Sequence, residues 1–250
     1  MAQTYAQTGL VLKTTKLGET DLILTMLGKD GSLIKGVAKG ARNPKSKNVG
    51  RTDVFMCCDL LLAKGKSLDI IVEMRTVDAY RKLRESYELS LLASTITEIA
   101  FRIAMPDNPE ETLYRMAIAA FDNLSEFGEE HGAAIVLGFF MKAMAIQGYR
   151  PSFEYCAVCS EEYPAYVGWS ARAGGVVCES CALHFDDLAT FNGAAVEWMK
   201  YLLMSTFSQI GETTMEENAL KDISRLMLDF FEYNFATTIK SLPIYWSLCT

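Results

Sequence analysis

Histidine is almost missing from this chain, with two in 250 residues, and proline is sparse at six. No nucleophile-elbow or Walker pattern occurs, and the basic part of the chain has no paired-carboxylate motif. The usual routes to hydrolysis and phosphoryl transfer therefore lack the side chains to run them, and the sequence reads as a binding protein and not an enzyme. Long apolar runs are absent too. Residues 132–141 make ten uncharged positions before Lys142, whereas a membrane span needs about 20. The first eight residues have neither the basic start nor the apolar core of a secretory signal, so a cytoplasmic protein is expected. Apolar residues make up 50% of the chain, enough for a real core and too many for a disordered protein.

Positive charge is in deficit, 24 Lys and Arg against 31 Asp and Glu for a net −7, and a balance of this sign argues against nucleic acid. The deficit is uneven. Residues 1–82 carry 14 basic and 8 acidic side chains (+6), and residues 83–250 carry 10 and 23 (−13). Between Asp30 and Asp53 there is no acid, while Lys35, Lys39, Arg42, Lys45, Lys47 and Arg51 are interleaved with Gly and Ser. Such asymmetry points to an anionic partner for the N-terminal part, and small residues let a backbone phosphate approach closely. A solvated loop whose charge only aids solubility is the plainer alternative. Aromatic residues are scarce in the same region: of 27 in the chain, only Tyr5, Phe55 and Tyr80 fall in the first 80. Single-strand binders commonly stack bases on aromatic rings, so this part is expected to grip backbone more than bases.

What is present in residues 1–80 is a series of five short apolar or alternating runs, at 9–13, 22–27, 32–38, 54–62 and 68–74. Turns at Asp30-Gly31 and Lys64-Gly65-Lys66-Ser67 and one longer connection at 39–53 punctuate them. This suits a small Greek-key barrel of the OB type, with an SH3-like barrel fitting the strand count nearly as well. From about residue 81 the period becomes helical. Leu92, Ile96, Ile99 and Ile103 form one stripe before Pro106. Asn108 is the expected cap of a second helix, with Pro109 at its first position and Gly128 at its end. A third, about 131–147, is apolar nearly all round, as suits the central helix of a bundle. Asn192 is the expected cap of a helix reaching about Met204, and Thr213 or Thr214 the cap of a last helix carrying Ile223, Met227, Phe230 and Phe231.

Seven cysteines, an odd number without an export signal, do not suggest a disulfide framework. Cys156-Ala-Val-Cys159 and Cys178-Glu-Ser-Cys181 instead have the spacing of two knuckles around one tetrahedral zinc ion, with a hairpin between them. Four thiolates fill the shell, which makes the expected zinc structural. His184 reads as a surface residue beside this ribbon, and Cys57 and Cys58 as packed strand residues.

Several of these segments resemble one family. Thr8-Gly-Leu-Val-Leu-Lys13, Gly18-Glu-Thr-Asp-Leu22, and the run from Gly31 through Lys35-Gly-Val-Ala-Lys39-Gly-Ala-Arg42-Asn-Pro-Lys45-Ser46 are similar to the N-terminal signature of the RecO family of bacterial DNA repair and recombination mediators. Gln147-Gly-Tyr-Arg-Pro151, just before the first knuckle, resembles the family's junction between helical domain and ribbon. The resemblance implies an α+β chain with an N-terminal five-stranded OB-fold barrel (1–80), an α-helical domain (81–152 and 186–250) and an inserted four-cysteine zinc ribbon (153–185). It also implies binding of single- and double-stranded DNA, strand annealing, a nucleoid-associated site of action, and, with RecR, loading of RecA onto DNA coated by single-strand-binding protein. DNA contact maps onto Lys35, Lys39, Arg42, Lys45, Lys47 and Arg51. The acidic remainder, with Trp169, Trp198 and Trp246, is then the expected protein-docking half. Arg102, Arg115, Lys142 and Arg150 are the cations available there to an acidic tail of single-strand-binding protein. A zinc-ribbon adaptor that binds RNA or protein without annealing is the competing reading.

Overall fold

The computed structural model describes residues 3–44, 50–105, 108–162, 166–186 and 188–249. Five strands, β1 (Thr4–Leu17), β2 (Asp21–Gly28), β3 (Leu33–Ala38), β4 (Cys57–Ala63) and β5 (Asp69–Asp78), close into a barrel in the order β1-β2-β3-β5-β4. β1 is long because it serves two partners: Thr4–Leu10 pairs with β4, and Gly9–Leu17 pairs with β2. β5 meets β3 in a short parallel contact through Gly36↔Asp69 and Val37↔Ile70. A three-strand meander whose ends are joined through β5 and β4 is the Greek-key order of the OB type, which decides between the two barrels left open by strand count. Val11, Leu24, Met26, Ile34, Leu60, Leu62, Ile71 and Met74 fill the interior. Leu10, Leu12, Leu27 and Phe55 belong instead to the core shared with the helices.

The helical part opens with a short 3-10 turn, Arg81–Arg84, and α1 (Tyr87–Ile103), whose cap Ser86 accepts a hydrogen bond from the Leu89 N–H. α2 (Glu111–Ile146) runs through the centre, broken at Gly128, where φ 69 and ψ −152 are non-helical. Gly128 therefore separates the two helices expected on either side of it, which form the two arms of α2. Its second arm is buried continuously from Ala133 to Met141, as an all-apolar helix requires. Asn108 does not cap it. Glu110 does, its carboxylate accepting from the Thr112 N–H, because the chain stays extended through Glu110 as it passes the barrel.

The ribbon follows with β6 (Gly168–Ser170), β7 (Gly175–Val177) and the single turn α3 (Glu179–Ala182). Then come α4 (Gly193–Met204), capped by Asn192 as expected, α5 (Phe207–Gly211), α6 (Glu217–Phe235) and α7 (Ser241–Leu248). Thr213 and Thr214 are not caps. The Thr213 hydroxyl is engaged with the Gln209 carbonyl and the Tyr201 hydroxyl, and α6 begins after Glu216 without a side-chain cap. Nor is α6 the last helix, since α7 follows it with its N-terminus held by Glu98 of α1, which accepts from Lys240 N, Ser241 N and Ser241 Oγ.

Two turn glycines separate backbone strain from collision. Gly18 (φ 59) faces open space, but at Gly31 (φ 86) an added Cβ would lie 2.3 Å from the Glu110 carbonyl carbon. Gly18→Ala should therefore cost about 1 kcal/mol, the strain alone. Gly31→Ala should cost at least about twice that and loosen the barrel from the helices, as read by chemical denaturation. Equal losses would show that the β2–β3 turn does not bear on Glu110.

Candidate nucleic-acid interface and metal centre

The basic run begins on the outer face of the barrel. Ile34, Gly36 and Ala38 point inward and are buried, which leaves Lys35 and Lys39 on the solvent side and exposed. Four positions of extended chain separate them, about 13 Å. Neither makes a hydrogen bond or ion pair with another described residue, while Lys35 borders a groove of about 650 Å³ with Tyr5, Ser32, Lys66 and Asp69. Arg42 and Arg51 are differently placed. The Arg42 Nη1 donates to the carbonyls of Gly18 (3.1 Å) and Glu19 (2.8 Å), and Arg51 Nη1 to that of Met74 (3.2 Å). Both tie the two ends of the loop to the barrel, with donors left over for an anion. Gly40 N–H adds a bond to the Asp21 carboxylate, which holds that carboxyl below its usual range. Lys45 and Lys47 lie outside the described residues.

Two of the three barrel aromatics are closed to a base. Phe55 and Tyr80 are buried against Phe121 of α2, edge to face at 5.7 and 5.1 Å between centroids. The Tyr5 hydroxyl donates to Asp69 and its ring lies under Lys64 at 5.9 Å. Burial and the Asp69 carboxylate push the Tyr5 phenol up to about 12.

The four knuckle cysteines come together. Their Sγ atoms all lie within 4.8 Å of one another, with Cys159 and Cys178 4.0 Å apart. A tetrahedron with metal–sulfur bonds of about 2.3 Å has edges of roughly 3.8 Å, so the spacing suits one ion and is far too wide for a disulfide. The local chain explains the cluster. Ser160 adopts φ 62 to close the first knuckle, with its N–H on the Cys156 carbonyl, and the second knuckle straddles α3. Burial opposes a charge on Cys156, yet the backbone N–H groups of Cys159, Cys178 and Val158 prevail and bring its thiol down to about 6. One thiol poised for deprotonation and three neighbours within reach form a group that could hold a metal ion. His184 is exposed and outside the cluster, as expected of a surface residue.

In the acidic part, the tryptophans are packed more than displayed. Trp169 is 1% exposed, stacked on Phe153 and edge-on to Phe230, and so anchors the ribbon to α6. Trp246 donates to Ser224 Oγ. Of the four cations there, Arg115 pairs with Glu111 (3.8 Å) and Lys142 donates to the Leu203 carbonyl. Desolvation pulls the Lys142 ammonium down to about 8. Arg150 borders a cleft of about 310 Å³ with Phe153, Tyr155, Lys200 and Met204, the last strongly exposed. No local pattern signals this cleft, because its walls come from the ribbon junction and the end of α4. No described helix is long and apolar enough to cross a membrane.

Residues 1–80 match the family described as Recombination protein O N terminal, and residues 84–243 the one described as Recombination protein O C terminal. A protein of Bifidobacterium longum (strain NCC 2705) named DNA repair protein RecO is 32% identical over 243 residues, covering 96% of this chain and 98% of that relative. Proteins of the same name from Bifidobacterium adolescentis and Synechococcus sp. (strain JA-3-3Ab) are 29% and 27% identical, covering 96% and 95% of this chain and 98% and 83% of the relatives.

Metal analysis of the purified protein should give one ion per chain. Cys156→Ser or Cys178→Ser should lose it and expose Trp169, shifting its fluorescence to the red, because ribbon folding and metal binding are coupled. Full native fluorescence in a metal-free variant would show that the ribbon stands without the ion.

Proposed function

Since the chain belongs to the RecO family of DNA repair proteins, we propose that it is a recombination mediator that binds single- and double-stranded DNA through the backbone and anneals complementary strands. With RecR it helps load RecA onto DNA coated by single-strand-binding protein, and it acts in the cytoplasm at the nucleoid. The role is one of binding and pairing, without catalysis of bond making or breaking. Its domains are the barrel at 1–80, the helical domain at 81–152 and 186–250, and the ribbon at 153–185, where Cys156, Cys159, Cys178 and Cys181 hold a structural zinc ion.

The observation that carries this reading is the pair of exposed lysines, Lys35 and Lys39, in no hydrogen bond or ion pair with a described residue, on a barrel two of whose three aromatic rings are buried against the helices. Annealing needs phosphate repulsion neutralised while the Watson–Crick edges stay free, which cations without stacking rings supply. Arg42, Lys45, Lys47 and Arg51 complete the contact set. For the acidic tail of single-strand-binding protein, the cleft beside Arg150 offers a cation next to exposed apolar surface, whereas Arg115 and Lys142 already have partners. Arg150→Glu should weaken binding of such a tail peptide about tenfold, the effect of roughly 1.4 kcal/mol, and unchanged binding would remove the cleft from consideration.

If all six cations of the basic run touch a single strand, log K falls against log salt with a slope near −4, about −0.7 for each. Lys35→Gln/Lys39→Gln should then reduce the magnitude of that slope by about 1.4 and slow the annealing of fluorescent oligonucleotides. An unaltered slope would move the DNA site away from β3. Wild-type protein that fails to accelerate pairing at all would favour the adaptor reading.

A further inference from the structure

We propose that the cleft between β1 and α1 receives one unpaired nucleotide of a single DNA strand, its base stacked on Phe101 and its phosphates held by Lys13 and Arg102. The proposal rests on the DNA-binding reading above and adds to it a stacking ring supplied by α1.

The cleft measures about 300 Å³ and has the buried side chains of Leu12 and Phe55 along one wall and Ser94 and Phe101 of α1 along the other. Its shape begins in a backbone irregularity. The register of β1 against β2 shifts between Val11 and Lys13, so Leu12 is the extra residue of a β-bulge. A bulge re-aims the side chains that follow it. Leu12 packs into the helix-side core, and Lys13, instead of returning to the barrel interior, reaches over Phe101 with Nζ 5.7 Å from the ring centroid. Arg102 brings a guanidinium to 5.9 Å from the same ring. Both distances are near the outer limit of cation–π contact, about 6 Å. The cations therefore lie over a half-buried ring at long range, and since both side chains are exposed they can turn outward to phosphate as a base takes their place on it.

The charges facing the cleft favour an anion. Glu98 is the acid among the lining residues, and its carboxylate is already engaged by three donors at the start of α7. Lys13 and Arg102 are exposed and make no hydrogen bond or ion pair with another described residue. The Thr97 hydroxyl is bonded to the Ser94 carbonyl, and the Ser94 hydroxyl, at the cleft wall, makes no hydrogen bond with another described residue.

Continuity decides in favour of nucleic acid over an acidic peptide. Val54 and Phe55, at the cleft wall, are the exit of the same basic loop whose entrance carries Lys39, and Lys13 is on the strand that continues to exposed Lys16. The space suits a small planar group at the low end of ligand pockets, roughly 300 Å³, and not a helix. A paired base, stacked on both faces within a duplex, has no face to offer Phe101, so the site is specific for single strands.

The test measures wild type, Phe101→Ala and Lys13→Gln/Arg102→Gln against one oligonucleotide in single-stranded and duplex form. A single-stranded copy carrying 2-aminopurine reports stacking. Phe101→Ala should weaken single-strand binding about fivefold or more, the low end of what one stacked base contributes, leave duplex binding within twofold and abolish quenching of the probe. The double variant should reduce the single-strand salt slope by about 1.4, and since both its residues are exposed it carries the test if Phe101→Ala fails to fold. Equal losses for both DNA forms, or no loss for either, would overturn the inference while leaving backbone binding by Lys35 and Lys39 standing. Losses confined to an acidic peptide probe would overturn it in favour of a peptide site. A wild type that binds no DNA would defeat the underlying reading itself.

Discussion

Phe121, fully buried on the first arm of α2, receives the edges of two rings from the barrel: Phe55, just before β4, and Tyr80, just after β5. Phe55 holds φ 73, a left-handed backbone that an aromatic residue adopts at a cost of order 1–3 kcal/mol. The aromatic contacts and the bonds on either side offset that cost. Phe55 N–H donates to the Val11 carbonyl, Val11 N–H donates to that of Met56, and Arg84 holds the carbonyls of Val54 and Ala79. The Tyr80 hydroxyl adds a bond to Asp122 at 2.9 Å. This junction fixes how the barrel sits on the helices and fixes the end of the basic loop. It also removes two of the barrel's three aromatic rings from the surface, so the chemistry that the barrel can offer a ligand follows from how the two halves are joined.

Charge follows the same division. In the acidic part, the described ion pairs of Lys and Arg are local: Arg115 with Glu111, Lys200 with Glu197, Lys221 with Glu217 and Arg225 with Asp222, each three or four residues apart on a helix. Such pairs contribute only about 0.3–0.5 kcal/mol apiece, but they silence cations that an anionic strand would otherwise feel. Among the described residues of the barrel, Arg75 and Asp59 form the ion pair, and Lys35, Lys39, Arg42 and Arg51 form none. With screening over about 8 Å at physiological salt, the net −7 of the chain is invisible to a strand lying on β3.

Features set by neighbouring residues were legible in the sequence. The alternation of strands, the helix-breaking Gly128, the Asn192 cap and the paired knuckles each depend on a few adjacent positions. Features set across the fold were not. Helix α7 has its cap on Glu98, more than 140 residues away, so no local signal announced it. Asn108 carries the right chemistry for a cap, but the chain stays extended past it because the backbone of Glu110 lies against Gly31. The basic run looked homogeneous as six charges, yet the carbonyls of Gly18, Glu19 and Met74 give Arg42 and Arg51 an anchoring duty that Lys35 and Lys39 lack. The scarcity of aromatics in the barrel was legible. That Phe101, from the next domain, borders the same surface required the bulge at Leu12 to be seen.

That bulge bears on a problem inherent to annealing. A protein that reads only phosphates binds the duplex it creates better than the strands it started from, because the duplex has the higher charge density and releases more counterions per contact, about 0.9 against 0.7. Backbone binding alone therefore favours retention of product. A contact that exists only while a base is unpaired opposes this bias. One stacked base contributes roughly 1–3 kcal/mol, comparable to the gain from the denser duplex over a few phosphates, and it vanishes when the base finds its partner. In the proposed arrangement, a ring on α1 beside the basic surface, with Phe55 and Tyr80 buried, would tie release to pairing without masking the edges that must pair.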